Sequence, residues 1–482
     1  MNRLSRIAPL LLTLALLATV PSVSPAAPKN DGRPDGGALA YGEYGRPATL
    51  DPITSNEMIS LRISELVFNG LVGIDEKQVI VPELAERWET SKDGRTYTFF
   101  LRKDVRWHPR EGEAPKPFTA DDVIFTYNIM MHPKTITPLK VRYEFIDKVE
   151  KADDATVRFT LKRPILNALA KFSFKIIPAH GPANPQFLTR EDPFVRAPIG
   201  TGPYVVKGVT GDREIVLMAN EDYFKGRAHI NKFVSRPFAD QNIMTQAMMF
   251  NAIDMLVLVN PRDLPELQGD TRFVLQPYNA LSYAFFGYTL RNPLLADKRV
   301  RRAFTHAVNR QEMLDSFFNG QGTIISGPFA PGSWAYNLDV HLKGIGVGVK
   351  VEFKEWQAWK EAVFVEHDFD VILASWVFDD SADISSLFHS AEIGAWKNNF
   401  GGYSNPEVDG LIVESKLTLD HEKRRTINRK LHTLLADEAP YTFLWTLTNY
   451  SGYHKKLRRV AIHPYKFFSF ADEWFIPVTE QK

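Results

Sequence analysis

Cysteine is absent from the 482 residues. That excludes disulfides, thiolate metal sites, a cysteine nucleophile and a lipid anchor on an N-terminal cysteine. An excess of charge is also missing: 58 Lys and Arg face 57 Asp and Glu, a net charge of +1. Nothing in that balance suits a phosphate backbone, so no nucleic-acid partner is expected. Catalytic signatures are missing too. The 12 histidines form no H-E-x-x-H, and there is no G-x-S-x-G, no S-x-x-K and no G-x-x-x-x-G-K-[ST]. Gly344-Ile345-Gly346-Val347-Gly348 runs into an expected strand rather than out of one, so it reads as a helix C-cap and turn.

Long apolar runs are lacking except at the start. Leu10 to Val20 is apolar, Arg3 and Arg6 precede it, and Ser24-Pro25-Ala26-Ala27 follows. The run is short for a membrane span and stops at Pro21, so it reads as a signal peptide cleaved near Ala26 or Ala27. Residues 1–26 carry two arginines and no acid, so cleavage leaves 56 basic against 57 acidic side chains. The expected product is soluble and exported, and periplasmic in a Gram-negative cell.

What is present is enough for two lobes or domains, with 33 Phe, 16 Tyr and 9 Trp to fill cores and line a cleft. Residues 96–101 and 157–161 alternate as strands do. Residues 79–88 read as an extended piece followed by a short helix. Thr119 and Asp122 form a capping box that opens a helix. Residues 297–318 read as one amphipathic helix, with Val300, Phe304, Ala307, Val308 and Leu314 inward and Arg301, Arg302, Asn309 and Arg310 outward. Val349, Val351 and Phe353 alternate with charged residues, a helix follows from about Trp356, and residues 369–375 form a continuous apolar run. That β-α-β order predicts parallel strands, the second buried on both faces. Ligands of such sheets sit beyond strand carboxyl ends.

The stretch SWVFDDSADISSLFHS, Ser375 to Ser390, begins at that strand end. Its aspartates could hold a metal, act as paired catalytic carboxylates, hold a cationic ligand group, or simply be solvated. A calcium loop fails, because the glycine and glutamate it needs are Ile384 and Ser390. No partner signature supports catalysis, and no enzyme activity is expected.

The order of motifs resembles the extracellular solute-binding proteins of family 5, the oligopeptide- and dipeptide-binding components of ABC importers. The resemblance is carried by Leu50-Asp51-Pro52, by residues 67–108, by PFTADDVIFTY and by IGTGPYVV. Residues 220–233, 291–313, 399–415 and 437–445 continue it. It implies an α/β, two-lobed fold of the type II periplasmic-binding-protein kind with a hinge. The implied division is signal peptide 1–27, lobe I 28–70 and 198–277, an inserted subdomain 71–197, lobe II 278–446 and a lobe I tail 447–482. It implies a short peptide as ligand, a membrane-embedded ABC permease as partner, a monomer, and neither cofactor nor metal. By the same resemblance Asp379, in Trp376-Val377-Phe378-Asp379, holds the peptide's ammonium; the alternative is that it caps the next helix, near Ser381. Trp376, Phe378, Tyr403 and Asn399 are the other candidate contacts, with the lobe II core as the alternative for the aromatic ones. Asp380, Asp383 and His389 read as solvated, capping or structural, and the IGTGPY turn as architectural, its glycines permitting unusual backbone angles. A sugar, opine or metal chelate is the alternative ligand, and a relative that no longer closes is a further one.

The sequence departs from the family between residues 332 and 345, where a helix–strand–helix segment is mostly missing. Lobe II is therefore expected to lack a strand and at least one helix, with an open sheet edge, uncovered apolar surface and low stability.

Overall fold

The computed structural model describes residues 32–481 apart from 210–213, 330–351, 378–382 and positions 56, 78, 166, 281, 353, 419 and 465. Its strands in chain order are β1 (Ala38–Tyr44), β2 (Val72–Ile74), β3 (Ile80–Pro82), β4 (Ala85–Thr90), β5 (Thr96–Leu101), β6 (Ile146–Asp153) and β7 (Thr156–Leu161). There follow β8 (Tyr204–Val209), β9 (Ile215–Ala219), β10 (Lys232–Phe238), β11 (Met255–Leu256), β12 (Phe273–Asn279) and β13 (Ser282–Tyr288). The last three are β14 (Gly322–Ile324), β15 (Val371–Val377) and β16 (Tyr441–His454). Two helices recur below, α1 (Met58–Val67) and α2 (Ala120–Met131).

One long sheet runs through the molecule in the order β15-β13-β16-β11-β1-β10-β9-β8, with β12 and β14 also paired to β16. A separate four-stranded sheet has the order β4-β5-β7-β6. β16 belongs to both lobes. Its first half pairs with β13, Ala284 opposite Trp445, and its second half with β12, Asn279 opposite Thr448. The chain passes from β12 to β13 between Asn279 and Ser282, at the middle of β16. Cores divide accordingly. Leu39, Tyr41, Phe233, Phe468 and Trp474 are buried together on one side of that crossing. Phe285, Phe388, Phe400, Leu435 and Tyr441 are buried together on the other.

The alternating segments form the strands expected of them, and Thr119 and Asp122 close their capping box at the start of α2. Three expectations are corrected. Residues 85–90 are strand, not helix: β4 pairs with β5 and lays Arg87 over the Phe100 ring at 3.3 Å. Cross-strand pairing there outweighs the helix propensity of Leu-Ala-Glu-Arg.

Residues 297–318 form two helices, Lys298–Ala307 and Arg310–Phe318, separated where Val308 is extended and the Asn309 side chain caps the second. Arg301 is buried rather than outward. It donates to the carbonyls of Leu295 (2.7 Å), Ala296 (2.8 Å), Glu438 (2.5 Å) and Ala439 (2.9 Å).

β15 is not buried on both faces. Ile372 is buried, but Leu373 is 57% and Val377 67% exposed. Its strand partner among the described residues is β13, antiparallel. The strand expected at 349–353, the Gly344–Gly348 turn and the shortened segment fall wholly or mostly outside the described residues.

Candidate functional site

Strand register locates the site. Tyr41 of β1 lies beside Met255 of β11, which lies beside Tyr453 of β16. β1 runs against β16, so its carboxyl end, Tyr44, advances toward the crossing. On the other flank Trp376 of β15 lies opposite Tyr283 of β13, and Val377 opposite Ser282. β15 runs with β16, so its carboxyl end advances toward the same level from the other lobe. Four strand spacings separate β1 from β15, roughly 20 Å before twist. Two strand ends therefore converge on one crossing, each followed by a loop. That is where a two-lobed α/β protein takes a ligand.

The loop after β1 is built on Asp51. Its carboxylate accepts the N–H groups of Ile53 and Thr54 (2.8 Å each) and the Thr54 hydroxyl (2.6 Å), and the Thr49 hydroxyl also donates to it. These bonds fold the loop back into α1 and account for the Leu-Asp-Pro motif. Ser55 follows, with a buried hydroxyl that has no partner among the described residues. One residue before Tyr44, the Glu43 carboxylate accepts Nε (2.5 Å) and Nη2 (2.6 Å) of Arg62 on α1. Tyr278, two residues before the crossing, is within electrostatic reach of this pair. Burial pushes its phenol up to about 12, and its hydroxyl donates to the Val257 carbonyl at 3.1 Å.

The other wall is the end of β15. The Trp376 ring stacks on Phe285 (6.0 Å) and Phe400 (6.2 Å), so it packs on the lobe II core rather than lining a cleft freely. Tyr403 is 3% and Asn399 1% exposed. The Asn399 amide donates to the carbonyls of His389 (3.0 Å) and Tyr403 (2.8 Å) and accepts the Tyr403 N–H (3.0 Å). The structure thus places Tyr403 and Asn399 inside lobe II, where they hold a turn. Phe378, Asp379 and Asp380 lie outside the described residues. Asp383 accepts the Ser385 N–H (2.9 Å) and pairs with Lys416 (3.1 Å), which holds its carboxyl down against the opposing effect of burial. The helix after this stretch begins at Ser385, not near Ser381.

The IGTGPY turn is architectural for a reason other than the one expected. Gly200 and Gly202 do not need positive φ. They need space: a Cβ on Gly200 would lie 1.8 Å from the Val67 carbonyl oxygen, and one on Gly202 2.5 Å from the Val67 carbonyl carbon.

Two other features are set aside. A groove of 600 Å³ lies against residues 183–193, close to Val195, whose carbonyl accepts the Leu50 N–H of the loop after β1 at 2.7 Å. Its Asp192 carboxylate is occupied by the N–H groups of Ala183 (3.0 Å) and Phe194 (2.9 Å). A cavity of 30 Å³ is lined by Glu65, Asn69, Glu83, Lys175 and Lys225. Glu65 pairs with Lys175 (2.9 Å) and Glu83 with Lys225 (3.4 Å). Burial raises the Glu83 carboxyl, but Lys225, Lys175, Asn69 and the Gly70 N–H outweigh it and bring it down to about 2. That is the space of about one water molecule inside a satisfied network. Among the described residues no group of three or more His, Asp or Glu could hold a metal, and no helix is long and apolar enough to cross a membrane.

Sequence reasoning missed Glu43 and Arg62. They lie 19 positions apart, and only the return of α1 onto β1 joins them.

Comparison with known proteins agrees with this fold. Residues 79–341 match the family model described as bacterial extracellular solute-binding proteins, family 5 middle. The oligopeptide-binding protein AppA of Bacillus subtilis is 26% identical over 94% of each chain. Di/tripeptide-binding protein 1 of Pseudomonas aeruginosa is 26% identical over 97% of each. The solved structure of AppA in complex with a nonapeptide superposes with a TM-score of 0.79 at 25% identity, covering 92% of this chain and 100% of that one.

Proposed function

The chain belongs to the bacterial extracellular solute-binding proteins of family 5, and from that membership we propose that it captures short peptides between two lobes and delivers them to a membrane-embedded ABC permease. It is a transport binding protein, not an enzyme. The observation that carries the reading is the convergence of β1 and β15 on the middle of β16. Ligand touching both loops would favour closure, because only the closed state makes both sets of contacts. The peptide class is supported by relatives that bind oligopeptides or di- and tripeptides and align over nearly the whole chain.

Within this proposal lobe I comprises residues 28–70, 198–277 and 447–482, with 71–197 inserted, and lobe II comprises 278–446. Asp379, just past the end of β15, takes the peptide's ammonium. Trp376 acts as a support for that loop, and Phe378 as a wall. Tyr403 and Asn399 are left to the core. The protein is exported by its N-terminal signal, cleaved near Ala26 or Ala27, and works as a periplasmic monomer.

Calorimetry and thermal shift with peptides of two to nine residues, beside sugars, opines and metal chelates, test the reading. Saturable peptide binding with compaction in small-angle scattering is expected. A response to a sugar, opine or chelate with none to peptides would replace the ligand class, and binding without compaction would mean that the lobes do not close.

A further inference from the structure

We infer that Arg62 receives the carboxylate at one end of the bound peptide, an assignment that rests on the peptide reading above. Three observations lead there. First comes position. Glu43 is the next-to-last residue of β1, whose end points at the lobe crossing, and Tyr278, within electrostatic reach of Arg62, lies on β12 one residue before that strand ends at Asn279. The guanidinium therefore sits at the floor of the opening rather than on an outer surface.

Second comes the pattern of bonds. Glu43 takes Nε and Nη2 of Arg62, and Nη1 makes no hydrogen bond among the described residues. One nitrogen with two donors is left over. Arg62 keeps 14% of its side-chain surface, while Glu43 keeps 4%. The carboxylate is enclosed, and the arginine side chain keeps a small part of its surface. The Tyr278 hydroxyl, which donates to the Val257 carbonyl, makes no hydrogen bond to Arg62.

Third comes charge. Glu43 balances Arg62, so the pair is neutral overall and gives little attraction for a dianion such as a phosphate. Its remaining value is directional: a guanidinium plane fixed by a two-point bond, with one edge presented. That suits a single carboxylate, which gains a charge-assisted hydrogen bond without an ordering cost for the arginine. The opposite strand end is roughly 20 Å away, about the reach of six extended residues. A ligand with its carboxylate at Arg62 and its other end at β15 would be a peptide of several residues rather than a single amino acid.

The test compares peptides of two to nine residues, each as free acid and as C-terminal amide, by calorimetry on the whole protein. Amidation should weaken binding by ten-fold or more. In the double variant Glu43→Gln/Arg62→Gln, which removes both buried charges together, the acid-to-amide ratio should fall to near one. Arg62→Lys guards against a folding failure of that variant: its ammonium stays with Glu43, so the ratio should fall there as well. Equal wild-type affinity for acid and amide overturns the inference while leaving the peptide reading intact. An undiminished ratio in either folded variant overturns it too. Binding of neither form overturns the peptide reading itself, and this assignment with it.

Discussion

His108 grips Gly200 at both ends. Its backbone N–H donates to the Gly200 carbonyl (2.8 Å), and its Nδ1 accepts the Gly200 N–H (3.1 Å). Nε2 then carries the proton and donates to the Gly202 carbonyl at 2.9 Å. The imidazole is neutral in this arrangement. Burial pushes it down to about 4, and the Gly202 carbonyl offsets only part of that. A histidine with a lowered folded value binds its proton more readily when unfolded. Its stabilising contribution is whole above about pH 6.5 and is lost as pH falls toward 4, by about 3 kcal/mol in all. Urea midpoints at pH 7.5 and pH 5 should differ accordingly, and His108→Gln should flatten the dependence. Some slope should persist, because burial lowers His432 in lobe II to about 4 as well.

Gly200→Ala should cost about 3 kcal/mol or more, because the new methyl would overlap the Val67 carbonyl oxygen at 1.8 Å. That carbonyl also accepts the Gly202 N–H at 2.8 Å, so α1 cannot retreat without losing a bond. Gly200→Asn should be no milder, since space and not φ is the constraint. Thermal melts of the two variants decide this: a wild-type midpoint for either would show that α1 gives way easily.

Arg301→Met should lower stability by about 3–4 kcal/mol. It leaves four carbonyls without their shared donor, two of them at the end of the helix His421–Glu438. Arg301→Lys should recover only part, since one ammonium cannot match the fork that reaches both chain segments. Denaturant titration followed by lobe II tryptophan fluorescence reads the difference.

The sequence made some of this legible and hid the rest for identifiable reasons. Strand 96–101 and the Thr119 capping box depend on local periodicity and local hydrogen bonds, so they could be read directly. The break at Asn309 had a signal too: an asparagine three residues before Glu312 marks a helix start, and the amphipathic run on either side masked it. Arg301 could not be read, because its partners at Glu438 and Ala439 lie far along the chain. β4 misled because helix propensity is local, whereas pairing with β5 is not. At the site, the strand-end rule located the end of β15, but the opposing wall depends on the register of β1 across β11 to β16, which no local pattern carries.

Lobe II should unfold before lobe I. Val371, Leu373 and Val377 leave apolar surface exposed along β15. Exposed positions of this kind add little to stability, so Leu373→Thr should shift the midpoint by no more than about 0.5 kcal/mol while reducing aggregation on heating. Scanning calorimetry should show two transitions, the lower one reporting β15 and its neighbours. A single cooperative transition with a high midpoint would argue against a weakened lobe.

Asp379→Asn should reduce peptide affinity without unfolding the protein. In the sequence the residue follows Trp376-Val377-Phe378, and β15 ends at Val377. Its competing duty, capping the helix that follows, is already met in part, because Asp383 accepts the Ser385 N–H at the start of that helix. Neutralising Asp379 should therefore leave the melting midpoint nearly unchanged. A charge-assisted bond to an ammonium contributes about 1.5–3 kcal/mol, so affinity should fall by about ten-fold to a hundred-fold. Acetylating the peptide's N-terminus should produce a loss of the same size in the wild type and little further loss in the variant. If the variant melts lower but binds as tightly as before, Asp379 belongs to the helix and not to the ligand.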